Sequence, residues 1–210
     1  MSTDNAMSTD NSAVRTGFTV RVPESWWEFD VWRATRTGDL ARLIDSRIAE
    51  APELRPHRGT LLRMLREAAE NAERHGARSC AVATDVVDDA GMLVATLMVF
   101  QRPPSPDPVQ DTVDAIAGQV TAGSSGPGSP TWRRVEIVDI AAGRAVRVQG
   151  VEATDVGGRS IDAVVMQTLI PVPDDVGVLN VVLTSPQVEL AEPLLELFDA
   201  ISGTLTWSPG

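Results

Sequence analysis

Few residues of this chain have the types and spacings that chemistry needs. The two histidines, His57 and His75, flank one helical stretch and share no metal-ligand spacing. His75 sits beside Gly76, where an imidazole favours the negative end of a helix, a structural role. Cys80 is the lone cysteine, which excludes an internal disulfide and a multi-cysteine zinc site. It lies in an apolar run with no histidine near it in sequence, so it reads as a small buried hydrophobe rather than a nucleophile. Asp85, Asp88 and Asp89 lack the D-x-D-x-D-G spacing and terminal Glu of a calcium loop and read as a solvated turn, as do Asp174 and Asp175 before Gly177. All 18 basic residues are arginine. Without lysine there is no Schiff base, no P-loop and no Ser–Lys dyad. No G-x-G-x-x-G follows a strand, the Gly123–Gly128 loop has no following Lys and helix, and no G-x-S-x-G elbow occurs. No catalytic residue, metal or cofactor is expected.

The unusual residues are tryptophans, in a chain only 4% aromatic. Trp26, Trp27 and Trp32 cluster early. On a strand, adjacent Trp26 and Trp27 face opposite ways, so they serve either as core packing under a helix or as contact anchors of the kind enriched in interfaces. Trp132 with Arg133 and Arg134, beside a Gly/Ser/Pro loop, is a second candidate contact patch; its plainer reading is a strand entry with solvated arginines. The helical stretch bearing Arg55, Arg58, Arg63, Arg66 and Arg74 suits an acidic partner, but most of these arginines have intrahelical acid neighbours, which favours a solvated face.

The elements that must position these residues follow from patterning. Phe18 to Val22 alternates as a strand closed by Pro23. A helix opens after Thr37, a plausible N-cap, with Leu40, Leu43, Ile44 and Ile48 in register, and breaks at Pro52 and Pro56. A second carries Leu61, Leu62, Leu65, Ala68, Ala69 and Ala72 on one stripe, Arg63/Glu67, Arg66/Glu70 and Glu70/Arg74 outside, and stops at Gly76. Residues 79–87 and 92–101 form a hairpin, and 109–120 a short helix. Strands are expected at 135–140, 145–149, 161–170 and 178–183, then a helix with Leu194, Leu197, Phe198 and Ile201 buried and Pro193 in its first turn. Consecutive strands without crossover helices argue for an α+β fold: one antiparallel sheet of about six strands with helices packed on it.

The chain has 210 residues, 43% hydrophobic, enough for one core. No apolar run reaches the roughly 20 residues of a membrane helix. The net charge of -11 repels nucleic acid and anionic membranes, so neither is an expected partner. Residues 1–16, where the first five residues recur at Met7 to Asn11, read as a disordered polar tail without a secretory signal; 17–208 reads as one domain, and the protein as cytoplasmic.

Phe18-Thr-Val-Arg-Val-Pro23-Glu-Ser-Trp26 resembles the opening of PsbP-like domains, where a strand ends in Pro and an aromatic follows. The strand before Pro186, the helix around Leu194-Leu-Glu-Leu-Phe198 and the Leu205/Trp207 segment resemble their ending. The resemblance implies an αβα sandwich and a binding or assembly role, and carries over no catalytic residue. A non-enzymatic protein-binding or assembly function is therefore expected. The alternatives are a small-molecule binder or enzyme whose dispersed site forms no motif, and a homo-oligomeric subunit.

Overall fold

The computed structural model describes residues 17–29, 38–87, 91–123, 132–156, 159–175 and 177–208. The tail 1–16, Trp32, Thr37, Asp88, Asp89 and the 124–130 loop lie outside them. The chain enters as Gly17–Thr19 (β1) and turns at Pro23, whose carbonyl accepts from the Trp26 N–H at 2.9 Å; it continues as Trp26–Phe29 (β2). Two helices follow, Asp39–Glu50 (α1) and Arg58–Arg74 (α2). Ser79–Val87 (β3) and Gly91–Arg102 (β4) form the predicted hairpin, and Val113–Gly123 (α3) the short helix. Then come Trp132–Ile140 (β5), Gly143–Val156 (β6), Arg159–Pro171 (β7), Val178–Ser185 (β8), the helix Ala191–Gly203 (α4) and Thr206–Ser208 (β9).

The α+β expectation holds, with seven strands rather than about six in the main sheet. Their order is β2-β3-β4-β8-β7-β6-β5, and every neighbouring pair is antiparallel. The Phe18–Val22 strand is cut to β1, which joins β9 in a separate two-stranded sheet. Pro52 and Pro56 do not open a gap between helices. They sit in a 3-10 turn, Pro52–His57, that runs straight into α2. None of the expected Arg–Glu pairs on α2 forms an ion pair. Arg58 instead clamps α1 to α2, its guanidinium donating to both carboxylate oxygens of Asp45 at 2.6 and 2.8 Å. Gly76 is left-handed (φ 69°) as predicted, and His75 Nδ1 lies 2.8 Å from the Asn71 carbonyl oxygen at the α2 terminus.

Alternation along the strands feeds two faces. On one, Cys80 and Val82 pack with Trp27 under Ile44, Leu61, Leu65 and Ala69 of α1 and α2. Ile116 of α3 covers Val146, Val148 and Val178 on the same side. On the other, Leu194, Phe198 and Ile201 of α4 cover Leu97, Val99, Met166, Val181 and Leu183. Fully burying such side chains contributes roughly 2 kcal/mol each. Helices thus cover both faces of the sheet.

The two halves of the sheet join where β4 lies against β8, from Thr96↔Thr184 to Arg102↔Val178. Gly177 enters β8 with φ 113°, and a Cβ there would stand 2.1 Å from the Arg102 carbonyl oxygen. The Asp111 carboxylate accepts from the Ser105 N–H (2.7 Å) and the Arg102 guanidinium (2.5 Å). Those two donors, the backbone one first, hold its carboxyl below the ordinary 3.8 against the opposing effect of burial.

Gly177→Ala is expected to lower stability by about 3 kcal/mol through backbone strain and this clash. Gly203→Ala, where an added Cβ meets nothing within 4 Å, is the near-neutral control, and urea denaturation reads both. For Asp111, a depressed folded pKa gives stability that is fully present above the unfolded value and is lost as pH falls through the folded one. The stability gap between the natural chain and Asp111→Asn should therefore be widest at neutral pH and shrink below about pH 4. Thermal melts across that range check it, and a gap that grows on acidification would contradict it.

Candidate binding cleft

The alternation of Phe18, Val20 and Val22 turns three apolar side chains toward the main sheet, where all pack at the edge of the core on the α4 side. This segment is a strap tied at several points. Phe18 lies opposite Trp207 in the β1–β9 register. The Trp207 Nε1–H donates to the Ala142 carbonyl at 2.8 Å, in the β5–β6 turn. The Arg21 N–H donates to Thr204 Oγ1 at 2.8 Å, at the end of α4. Pro23 then swings the chain back to the sheet edge as β2.

Between the strap and strands β2, β3 and β4 this reversal leaves an open cleft of about 320 Å³. Phe18, Val20, Val22, Ala81 and Leu97 make its apolar lining, and Thr19, Glu28, Arg78 and Ser79 the polar part. Each polar residue has a local cause. Glu28 shares its face of β2 with Trp26, whose indole is buried in the core and fixes the strand. Arg78 precedes β3. Its N–H donates to the Val99 carbonyl at 2.7 Å and its guanidinium to Gln101 Oε1. Ser79 shares a face with Ala81 on β3. The cleft therefore offers a hydrocarbon-accepting floor, a cation and a hydroxyl for an acceptor group, and a carboxylate for a donor. No histidine or cysteine lines it.

The candidate residues read from sequence are not brought together. Trp26 and Trp27 do face opposite ways, and both are buried, in the cores of the two faces. The Trp27 Nε1–H is buried without a hydrogen-bond partner. Trp132, Arg133 and Arg134 lie on β5, at the opposite edge of the sheet from β2. Arg133 faces Glu152 at 3.8 Å, and Arg134 pairs with Glu136 at 2.9 Å and is exposed. Glu28, Arg78 and Ser79 went unnoticed in sequence because no motif links residues that converge from separate strands. The available signal was parity: Glu28 two places from Trp26, and Ser79 two from Ala81. Cys80, one position on, faces the α1/α2 core instead, and burial pushes its thiol up to about 12.

No family model matches the chain, and no curated protein matches it. Among solved structures it is similar to LpqN of Mycobacterium tuberculosis, described as involved in cell envelope biogenesis. The two chains are 12% identical, with 95% of this chain and 88% of that one covered, at a TM-score of 0.47. Among the described residues no helix is long and apolar enough to cross a membrane, and no cluster of His, Cys, Asp and Glu is arranged to hold a metal ion.

Cys80 should be silent to Ellman's reagent in the folded protein at pH 8 and react only at the rate of unfolding, so that added urea releases the single equivalent. Fast labelling without denaturant would show the thiol reachable from the native state.

Proposed function

We propose that this chain is a non-enzymatic binding protein that seats an apolar segment of a partner protein in the cleft between the strap and strands β2–β4. The observation that carries the reading is the pairing of an apolar lining, from Phe18, Val20, Val22, Ala81 and Leu97, with Glu28, Arg78 and Ser79 in one open cavity. Sites of this kind gain affinity from the apolar area they remove from water and orientation from a few polar groups. An apolar side chain would fill the floor, and its flanking peptide N–H and C=O groups would meet Glu28 and Arg78. Trp26 and Trp27 serve this site from the core, by holding β2 so that Glu28 lines the cavity. The resemblance of the chain's two ends to PsbP-like domains supports a binding or assembly role, since the first end forms the strap that walls the cleft and the second holds it.

Ser79 lines the cavity on the Ala81 face of β3, so Ser79→Trp projects an indole into the cleft. Arg78→Glu reverses the cation. Full-length tagged protein is used to capture partners from its native lysate, with quantification by mass spectrometry. One stoichiometric protein is expected, and both variants should lower its recovery at least about tenfold, equivalent to about 1.4 kcal/mol. Titration with the apolar dye anilinonaphthalene sulfonate gives a second reading, with saturable binding by the natural chain that Ser79→Trp abolishes. Unchanged capture by both folded variants would overturn the proposal. Saturable dye binding with no protein recovered would move the cleft to the small-ligand alternative.

A further inference from the structure

The main sheet ends very differently at its two edges. The β2 edge is four residues long, whereas β5 runs nine, from Trp132 to Ile140, and among the described residues pairs only with β6. An edge of that length presents a row of unpaired N–H and C=O groups, the template on which another strand adds. It has no proline and no bulge, Ile137 is 42% exposed, and its four charges, Arg133, Arg134, Glu136 and Asp139, are of both signs, so they discriminate between registers. Odd-numbered residues from Arg133 to Asp139 lie on the α3 side and even-numbered ones on the α4 side: Val135 packs with α3, and Val138 and Ile140 with the α4 core.

We propose that β5 is a self-association surface on which a second copy of this chain pairs antiparallel, edge to edge, about a two-fold axis through Val135. The joined sheets then run continuously through both copies. Register and charge select this axis. A two-fold perpendicular to the sheet leaves each residue on its own face. Residues directly opposite must share a face, so the axis passes through a residue and not between two. Centred on Val135, the pairing sets Arg134 opposite Glu136 of the second copy, twice, on the α4 side. It also sets Arg133 opposite Ile137 and Trp132 opposite Val138. One residue earlier, Arg134 would stand opposite itself, and one residue later Glu136 would. Like charges directly opposite destabilise a strand pair, whereas opposite charges stabilise it. The intrachain Arg134–Glu136 contact at 2.9 Å shows both groups on one face of the outer strand, where the exchange would swap its partners between copies. On the α3 side, Gly118 and Ala122 are exposed small residues, with the exposed Asp114 one turn before Gly118, and a Cβ added at Gly118 meets nothing within 4 Å. The interface is isologous and closes as a dimer, as most homo-oligomers do.

Light scattering on the eluting full-length chain tests the register. The natural protein at high micromolar concentration should scatter at twice its 22.5 kDa. Arg134→Glu and Glu136→Arg, each placing like charges opposite one another, should be monomers with unchanged circular dichroism, and the double swap Arg134→Glu/Glu136→Arg should dimerise again. A natural chain that stays monomeric, a dimer indifferent to both single swaps, or a double swap that stays monomeric while folded would overturn the proposal. If the single variants fail to fold, hydrogen exchange on the natural chain decides it. Protection of β5 amides that rises with protein concentration supports pairing at this edge, and concentration-independent exchange there rejects it.

Discussion

The seam between β4 and β8 is the contact on which the rest of the molecule depends. Without it the chain is two antiparallel meanders, β2-β3-β4 with α1 and α2, and β5-β6-β7-β8 with α3 and α4. The pairing from Thr96↔Thr184 to Arg102↔Val178 makes them one sheet. On the α4 side it aligns Leu97, Val99, Val181 and Leu183 under one helix. On the other side the Thr96 and Thr184 hydroxyls meet at 2.7 Å, so the seam has an apolar and a polar lock back to back. Its lower end tolerates no side chain, because Gly177 runs against the Arg102 and Pro103 backbone. Asp111 fixes the same corner by holding the Arg102 guanidinium and the Ser105 amide together.

From the seam the forces run outward to the cleft. Leu97 is both a seam residue and part of the cleft lining. The strap that forms the opposite wall is held by the C-terminal half of the chain, through β9, Thr204 and the Ala142 turn. α4, which leads into β9, is pinned on the sheet by more than apolar contact. The buried Arg147 guanidinium of β6 reaches the Asp199 carboxylate and Ser202 Oγ. Asp199 is exposed but the Arg147 guanidinium is buried, so losing these partners would leave an expensive buried charge, and the contact fixes where the helix sits. One wall of the cleft is therefore the first element of the chain, held in place by the last, and its shape depends on both meanders being docked.

What the sequence revealed and what it hid divide along range. Period-two and period-3.6 patterning placed the hairpin, β5, β7, β8, α2 and α4 within a few residues of where they lie, but ended β6 at 149 where it runs to Val156. The Gly76 stop and the His75 contact were legible because both are settled within one helical turn. The opposed burial of Trp26 and Trp27 followed from strand parity alone. Features decided by distant partners were not legible. β1 is a strand only because β9 is beside it, and nothing local in Phe18 to Val22 says which sheet it joins. The expected Arg–Glu pairs on α2 failed because solvated side chains gain little from pairing, while Arg58 found Asp45 through the packing of α1 on α2. Glu28 and Arg78 gain meaning only when β2 and β3 come together.

Cleft and edge lie at opposite ends of the sheet, and this separation has a consequence. Pairing through β5 leaves the strap, β2 and β3 untouched, so self-association and cleft binding would not compete for residues. A two-fold axis perpendicular to the sheet keeps both α4 layers on one side. The two clefts of such a dimer would open on that same side, on the order of 50 Å apart at the usual strand spacing. A partner bearing two suitable segments, or a repeating array of one, would then bind its second segment at an effective concentration set by the dimer. Avidity gained this way exceeds either single affinity without any new contact, and is lost when the geometry forbids both. If the proposed cleft binds weakly by itself, two of them on one continuous sheet would hold an extended partner while each contact stays individually reversible.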